Sequence, residues 1–347
     1  MGSVRRAVPR CALLILAAVI ALPGCSRKEV EPPEVIVYTA LDRGLSAPIF
    51  EEFTKKTGIV VRARYDADPE KAAGLAEAIL SERARPRCDL FWNDEILSTL
   101  RLERAGLLRA YQSPAVAGYP ASAHSSNGTW YGFAARARVL LINTHQLPEE
   151  RRPKSIRDLI DPQWYDRCGM SKPLFGTTAA QVAALFAVWG DEKAKEFYHE
   201  VKRNVRILSG NKQVAQAVGS ARYGFGLTDT DAAVAEVEKG MPVTIVYPDQ
   251  REGEVGTLFI PNTLALIKDS AHPKEAEKLL DYLLSADVER QLAKGPSAQI
   301  PLQAGVEASP RVKTPGEVRA MEVDWSAAAG KWDAVAEFLK TEFAVDK

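Results

Sequence analysis

Val35-Ile36-Val37-Tyr38-Thr39 opens a strand, helix, strand series whose reading decides the fold. The run is apolar and β-branched, as a strand buried on both faces requires. Ile49, Phe50 and Phe53 then recur at helical spacing between Ala47 and Lys56, Gly58 closes that helix, and Ile59 to Tyr65 begins the next strand. A helix from about Pro69 to Arg83, a strand at Leu90 and a helix from Ile96 to Arg104 continue the alternation. A second series follows: Gly169–Pro173, helices at Thr178–Trp189 and Glu192–Val201, Val205–Leu208, a helix at Lys212–Val218, and a strand at Gly224–Leu227. Strand runs at Val243–Tyr247, Gly256–Ile260 and Leu264–Ile267 precede helices at Pro273–Leu284 and Val288–Leu292. Two such series predict an α/β protein of two lobes with a ligand cleft between them. Residues 34–135 are assigned to lobe 1, 136–245 mainly to lobe 2 with hinge crossings, and 246–347 to the return to lobe 1 and C-terminal helices. The β-like stretch Tyr131 to Asn143 is the expected crossing.

Residues 1–24 read as a lipoprotein signal peptide. Arg5, Arg6 and Arg10 precede the apolar run Cys11 to Leu22, and Leu22-Pro23-Gly24-Cys25 has the form of a lipid-attachment signal. Cys25 is the expected lipidation site, residues 25–33 a tether, and the remainder an exported, lipid-anchored body. The chain carries 45 basic and 45 acidic residues, and loss of the leader removes basic ones only. A slightly acidic body argues for solubility and gives no support to nucleic-acid or polybasic lipid binding; a monomer is expected. Cys88 and Cys168 remain; a disulfide and two buried thiols both stay open, and no cysteine–histidine spacing for a metal site exists.

The four histidines, at 124, 145, 199 and 272, are scattered, and no nucleophile-elbow, zinc-protease or phosphate-loop sequence occurs, so no enzyme is expected. Strands instead end in small or acidic polar residues before helices: Tyr38-Thr39-Ala40-Leu41-Asp42, Asn93-Asp94-Glu95, Phe175-Gly176-Thr177-Thr178, Ser209-Gly210-Asn211 and Thr228-Asp229-Thr230-Asp231. Such residues cap helices in any protein. Five such turns facing one cleft also make a binding site beside unsatisfied helix N–H donors. Arg136 and Arg138 are added as anion partners, although Ala135-Arg136-Ala137-Arg138-Val139 alternates as a solvated strand face does. Trp92 and Phe133 read as core.

Val37-Tyr38-Thr39, Phe53 to Gly58, Cys88 to Glu95, Trp130-Tyr131-Gly132 with Arg136 and Arg138, and Gly226 to Asp231 resemble, in that order, bacterial extracellular solute-binding proteins of the ferric-iron-binding group. The resemblance spans nearly the whole chain after the leader. It implies a periplasmic-binding-protein-like fold of type II, closure on ligand, and delivery to ABC permease subunits. Ferric-binding members carry a histidine or tyrosine in the first strand-end loop, a glutamate after the third strand, and a tyrosine pair in the second lobe. Here Asp42 stands at the first position, Asp94 beside Glu95 at the second, and Thr230-Asp231 after Asp229 where the tyrosines would be.

Two cargo chemistries follow. Asp42, Asp94, Asp229 and Asp231 are the candidate metal ligands for Fe(III), carried as cargo with a synergistic anion and not as a resident cofactor. Alternatively Thr39, Thr177, Thr178, Gly210 and Asn211 hold an organic phosphonate, phosphate ester or other zwitterion, with Arg136 or Arg138 assisting and the acids facing its ammonium group. Tyr38, Asn93 and Glu95 complete the candidate ligand set. A lipoprotein that reports a ligand to a membrane sensor is the remaining alternative.

Overall fold

The computed structural model describes residues 32–66 and 74–344, together with Gly2; the leader, Cys25 and most of the tether lie outside the described residues. The described body falls within one unit, Pro33–Lys347. In chain order its elements are β1 (Glu34–Thr39), α1 (Arg43–Thr57), β2 (Val60–Tyr65), α2 (Gly74–Ser81), β3 (Leu90–Asn93), α3 (Ile96–Arg104), β4 (Leu108–Arg109) and β5 (Tyr131–Asn143). They continue with β6 (Cys168–Ser171), α4 (Gly176–Trp189), α5 (Asp191–Asn204), β7 (Arg206–Leu208), α6 (Asn211–Gly219), β8 (Phe225–Asp229) and α7 (Thr230–Glu238). The chain ends through β9 (Val243–Val246), β10 (Phe259–Ile267), α8 (Pro273–Leu283), α9 (Ala286–Lys294), α10 (Trp325–Gly330) and α11 (Trp332–Phe343).

The strands form one path, β2-β1-β3-β10-β5-β8-β6-β7, with β4 on β10 and β9 on β5. β5 joins the two lobes: Tyr131 to Ala137 pair with β10, whereas Arg138 to Ile142 pair with β8 and Leu140 to Asn143 with β9. Every residue of β5 is buried, as a central strand with both faces covered must be. In lobe 1, β1 runs parallel to β2 and β3; in lobe 2, β6 runs parallel to β7 and β8. The carboxyl ends of β1, β3, β6, β7 and β8 are thus followed by the first turns of α1, α3, α4, α6 and α7, where α/β folds bind ligands.

Several boundaries differ from the sequence reading. α1 begins at Arg43, not Ala47, because Pro48 is tolerated inside the helix at the loss of one backbone donor. Gly256–Ile260 and Leu264–Ile267 are not two strands. β10 is continuous from Phe259, and Pro261 sits in a bulge between Ile260 and Asn262, where a strand accepts proline. α7, unmarked by any strong periodicity, was missed. Cys88 and Cys168 are free and buried, Cys88 lying two residues before β3 in one lobe and Cys168 opening β6 in the other. Burial raises the pKa of both thiols. Trp92 and Phe133 are core residues, their rings 5.4 Å apart.

The junction between lobes is tied by buried polar groups. Glu289 is fully buried, and its carboxylate accepts from the backbone N–H of Ala134 at 2.8 Å, Leu302 at 3.0 Å and Gln303 at 2.8 Å. Ala134 (φ +43°) and Ala298 (φ +44°) hold left-handed backbone on the two segments so joined. Asn262 donates to the carbonyl of Ala134 and to Gln299 Oε1, fastening β10 to the same corner. α10 packs against both α3 and α4, so one short helix touches each lobe.

Replacing Glu289 by alanine would leave one buried and two half-buried N–H groups without this acceptor, a buried one costing about 1–3 kcal/mol. The expected loss is about 3 kcal/mol or more in urea unfolding, with Glu289→Gln losing less because its amide oxygen still accepts.

Candidate functional site

A cavity of about 350 Å³ lies among the strand-end turns. Lobe 1 lines it with Ala40, Asp42, Asp66 and Asp94. Lobe 2 contributes Ser171, Lys172, the Phe175–Thr178 turn, the Ser209–Asn211 turn and Asp229. One wall is therefore rich in carboxylates and the other in hydroxyl, amide and backbone N–H donors.

Capping and ligand binding compete as explanations for these turns, and the side chains separate them. Glu95 caps α3, accepting from Leu97 N at 2.5 Å and Ser98 N at 2.9 Å. Asp42, Phe175, Gly210 and Asp229 precede α1, α4, α6 and α7 without any side-chain cap. Four helix N-termini thus keep donors that their own N-cap residues do not satisfy.

The organising group is Arg138, which the sequence offers only as an alternative to Arg136 and equally as a solvated strand residue. Arg138 is completely buried on β5. Its Nε donates to Gln181 Oε1 at 2.9 Å, and its Nη1 to Asn211 Oδ1 at 2.9 Å and Asp229 Oδ1 at 2.7 Å. The other oxygen of Asp229 accepts from Thr177 Oγ1 at 2.6 Å and Asn211 Nδ2 at 2.8 Å. Thr178 and Ser171 share a hydrogen bond, and Ser171 also donates to Asn211 Oδ1 at 2.9 Å. The alternation around Arg138 does not mark a solvated face. Both arginines are buried because β5 is central and each guanidinium meets carboxylates.

Arg136 forms a second knot. It contacts Asp94 at 3.3 Å from lobe 1, Asp231 at 3.8 Å from α7, and Asn262 at 3.3 Å on β10. Burial raises the carboxyl pKa of Asp94 to about 6, against the opposing pull of Arg136, and raises that of Asp231 as well. For Arg136, the charges of Asp231 and Asp94 outweigh burial and hold the pKa above the ordinary value.

Of the expected site residues, Asp42, Asp94, Thr177, Thr178, Asn211 and Asp229 line the cavity. Arg136 and Asp231 stand behind it as a pair. Four others are structural. Tyr38 directs its hydroxyl to Glu82 and Arg64, since alternate strand residues face opposite sides. Thr39 is buried and accepts from Leu41 N at 3.1 Å. Asn93 donates to the carbonyl of Glu95 at 2.6 Å, and Glu95 is the α3 cap. The expected metal set is not a cluster: among the described residues, no three histidine, cysteine, aspartate or glutamate side chains form a group able to hold a metal ion. The arginines account for this, because Asp229 is held by Arg138 while Asp94 and Asp231 lie on Arg136. Lys172, Ser171 and Asp66 were missed, for none belongs to a recognisable motif.

Two α/β lobes joined by crossing strands, with a polar cleft at their strand ends, define a periplasmic-binding-protein fold. Residues 93–329 match the family described as bacterial extracellular solute-binding protein, and the chain belongs to that family. It is 25% identical over 329 residues to the major ferric iron-binding protein of Neisseria meningitidis, covering 93% of this chain and 95% of that one. A putative 2-aminoethylphosphonate-binding periplasmic protein of Salmonella paratyphi A is 22% identical, with 82% of each chain covered. Among solved structures, iron-bound HitA from Pseudomonas aeruginosa superposes with a TM-score of 0.80 at 27% identity, over 89% of this chain and 99% of that one.

Removing one partner of a buried ion pair costs about 3–5 kcal/mol because the other charge is stranded. Arg138→Gln is expected to lose that much in urea unfolding, and Arg138→Gln combined with Asp229→Asn to lie closer to the parent than the single variant does. Equal losses in the single and double variants would show that the pair contributes no coupling.

Proposed function

We propose that this protein is the cargo-binding lipoprotein of an ABC importer for iron(III), carried as the ion or as a metal–anion complex. It would be anchored through Cys25, either on the periplasmic side of an envelope membrane or on the outer face of the cytoplasmic membrane, and act as a monomer. The observation that carries this reading is the two-walled cleft: Asp42, Asp66 and Asp94 face a second lobe of uncapped helix N-termini, hydroxyls and Asn211. Hard oxygen donors suit Fe(III). The relatives named for ferric iron support the same cargo.

The protein works by binding. Cargo between the lobes stabilises the closed arrangement in proportion to its greater affinity for it. Permease subunits in the membrane would then read the apposed lobe rims. A second reading, an organic phosphonate or phosphate ester bearing an ammonium group, draws support from the cavity lining itself, which among the described residues contains no tyrosine. The phosphonate-binding relative fits it too.

Native mass spectrometry and elemental analysis of the purified soluble body, beginning after Cys25, separate the readings. Near-stoichiometric iron is expected. A metal-free protein carrying an organic phosphorus-containing mass would establish the second reading instead.

Asp94 adds a pH test. With its pKa raised by burial to about 6, the carboxyl must lose a proton to face a cation. Cation affinity therefore rises with pH through about 6 and levels off above it. Asp94→Asn should flatten this dependence and weaken binding roughly tenfold, the equivalent of about 1.4 kcal/mol, as read by competition dialysis from about pH 5 to 8.

A further inference from the structure

The carboxylate of Asp229 is surrounded as a bound oxyanion would be. Arg138 approaches one oxygen at 2.7 Å, and Thr177 Oγ1 and Asn211 Nδ2 approach the other at 2.6 and 2.8 Å. These donors come from β5 and from the first turns of α4 and α6, whose N-termini carry partial positive charge. Asp229 has a ready local alternative. It is the N-cap residue of α7, where aspartate ordinarily bonds the N–H groups of its own helix, yet it makes no such bond. Its side chain gives up that cap to reach the donors of two other helices. Nor can water easily take its place, since the Arg138 and Asp229 side chains are only 1% and 5% exposed.

We propose that Asp229 is the built-in anion of this cleft: its carboxylate fills the oxyanion seat formed by Arg138, Thr177 and Asn211, so metal cargo is taken up without a free inorganic oxyanion. The inference rests on the iron reading and specifies its chemistry. A fixed negative charge in the seat also discriminates against phosphate and sulfate, because a second anion would meet Asp229 before it met Arg138. The guanidinium retains capacity for another acceptor, as Arg138 Nη2 is buried without a hydrogen-bond partner. Removing the Asp229 carboxyl group would therefore open the seat to an outside oxyanion.

The test is calorimetric titration of the metal-free protein with inorganic phosphate. The parent protein is expected to show no binding up to millimolar phosphate, and Asp229→Ala, which vacates the seat, to bind it at least about tenfold more tightly. Micromolar binding by the parent, or no gain in a folded Asp229→Ala variant, overturns the proposal. Should that variant fail to fold, iron uptake by the parent decides. Equal loading from ferric nitrilotriacetate with and without phosphate supports a built-in anion, and loading that needs phosphate overturns it. No loading in either buffer sinks the iron reading instead, and the parent's phosphate titration still judges Asp229.

Discussion

The ion pair between Arg138 and Asp229 is the constraint around which the second lobe is arranged. A guanidinium buried on a central strand is tolerable only where a carboxylate and further acceptors surround it. Arg138 finds them at Asp229, Gln181 and Asn211, which come from β8, α4 and α6. Because β5 pairs with β8 so that Arg138 and Asp229 are register partners, the two charges meet across adjacent strands without any loop adjusting to bring them together. The pair then fixes where α4 and α6 begin, since Thr177 and Asn211 both answer to the same carboxylate. Pairing two buried charges adds little net stability over a well-packed apolar alternative. Its value here is positional: one charge pair sets the spacing of three helix starts.

Two residues earlier on the same strand, Arg136 performs the corresponding task between lobes. Asp94 belongs to lobe 1 and Asp231 to lobe 2, and both lie on one guanidinium that Asn262 steadies from β10. The corner held by Glu289 and Asn262 adjoins it, and the left-handed backbone at Ala134 lies between the two. Any change in the angle between lobes alters the distance from Asp94 to Asp231, and with it the neutralisation that Arg136 provides. On the proposed reading, this single side chain would couple cargo charge to lobe geometry, the differential contact that ligand-driven closure requires.

How much of this was legible in the sequence depended on the range of the interaction. The α/β alternation could be read because buried parallel strands and helix stops are local patterns: Val35 to Thr39, Gly58, and Ile96 to Arg104 carry their own signals. The strand-end turns could be found for the same reason, and Asp42, Asp94, Thr177, Thr178, Asn211 and Asp229 do line the cavity. Which way a side chain faces was not local. Tyr38 and Thr39 sit in the correct turn but point into other surroundings, and Glu95 is spent on its own helix. The role of Arg138 was only half legible, because alternation of arginine and alanine describes a wet strand as well as an anion partner. Only the pairing of β5 with β8 brings that cation against Asp229.

The acids of the cleft also differ in kind, although the sequence presents them alike. Asp42 is exposed and Asp94 partly so, whereas Asp229 is almost wholly enclosed by donors. Electrostatic preorganisation assigns them different work: a carboxylate whose lone pairs are already directed at Arg138, Thr177 and Asn211 has little left to give a metal, but it fixes negative charge behind the seat. The carboxylates of Asp42 and Asp94 line the cavity, Asp94 while paired with Arg136. An incoming hard cation would be met first by these two and then by the field of Asp229, while an incoming anion meets that field as a barrier. On the proposed reading, selectivity for charge sign would reside in the enclosed acid, and capture in the open ones.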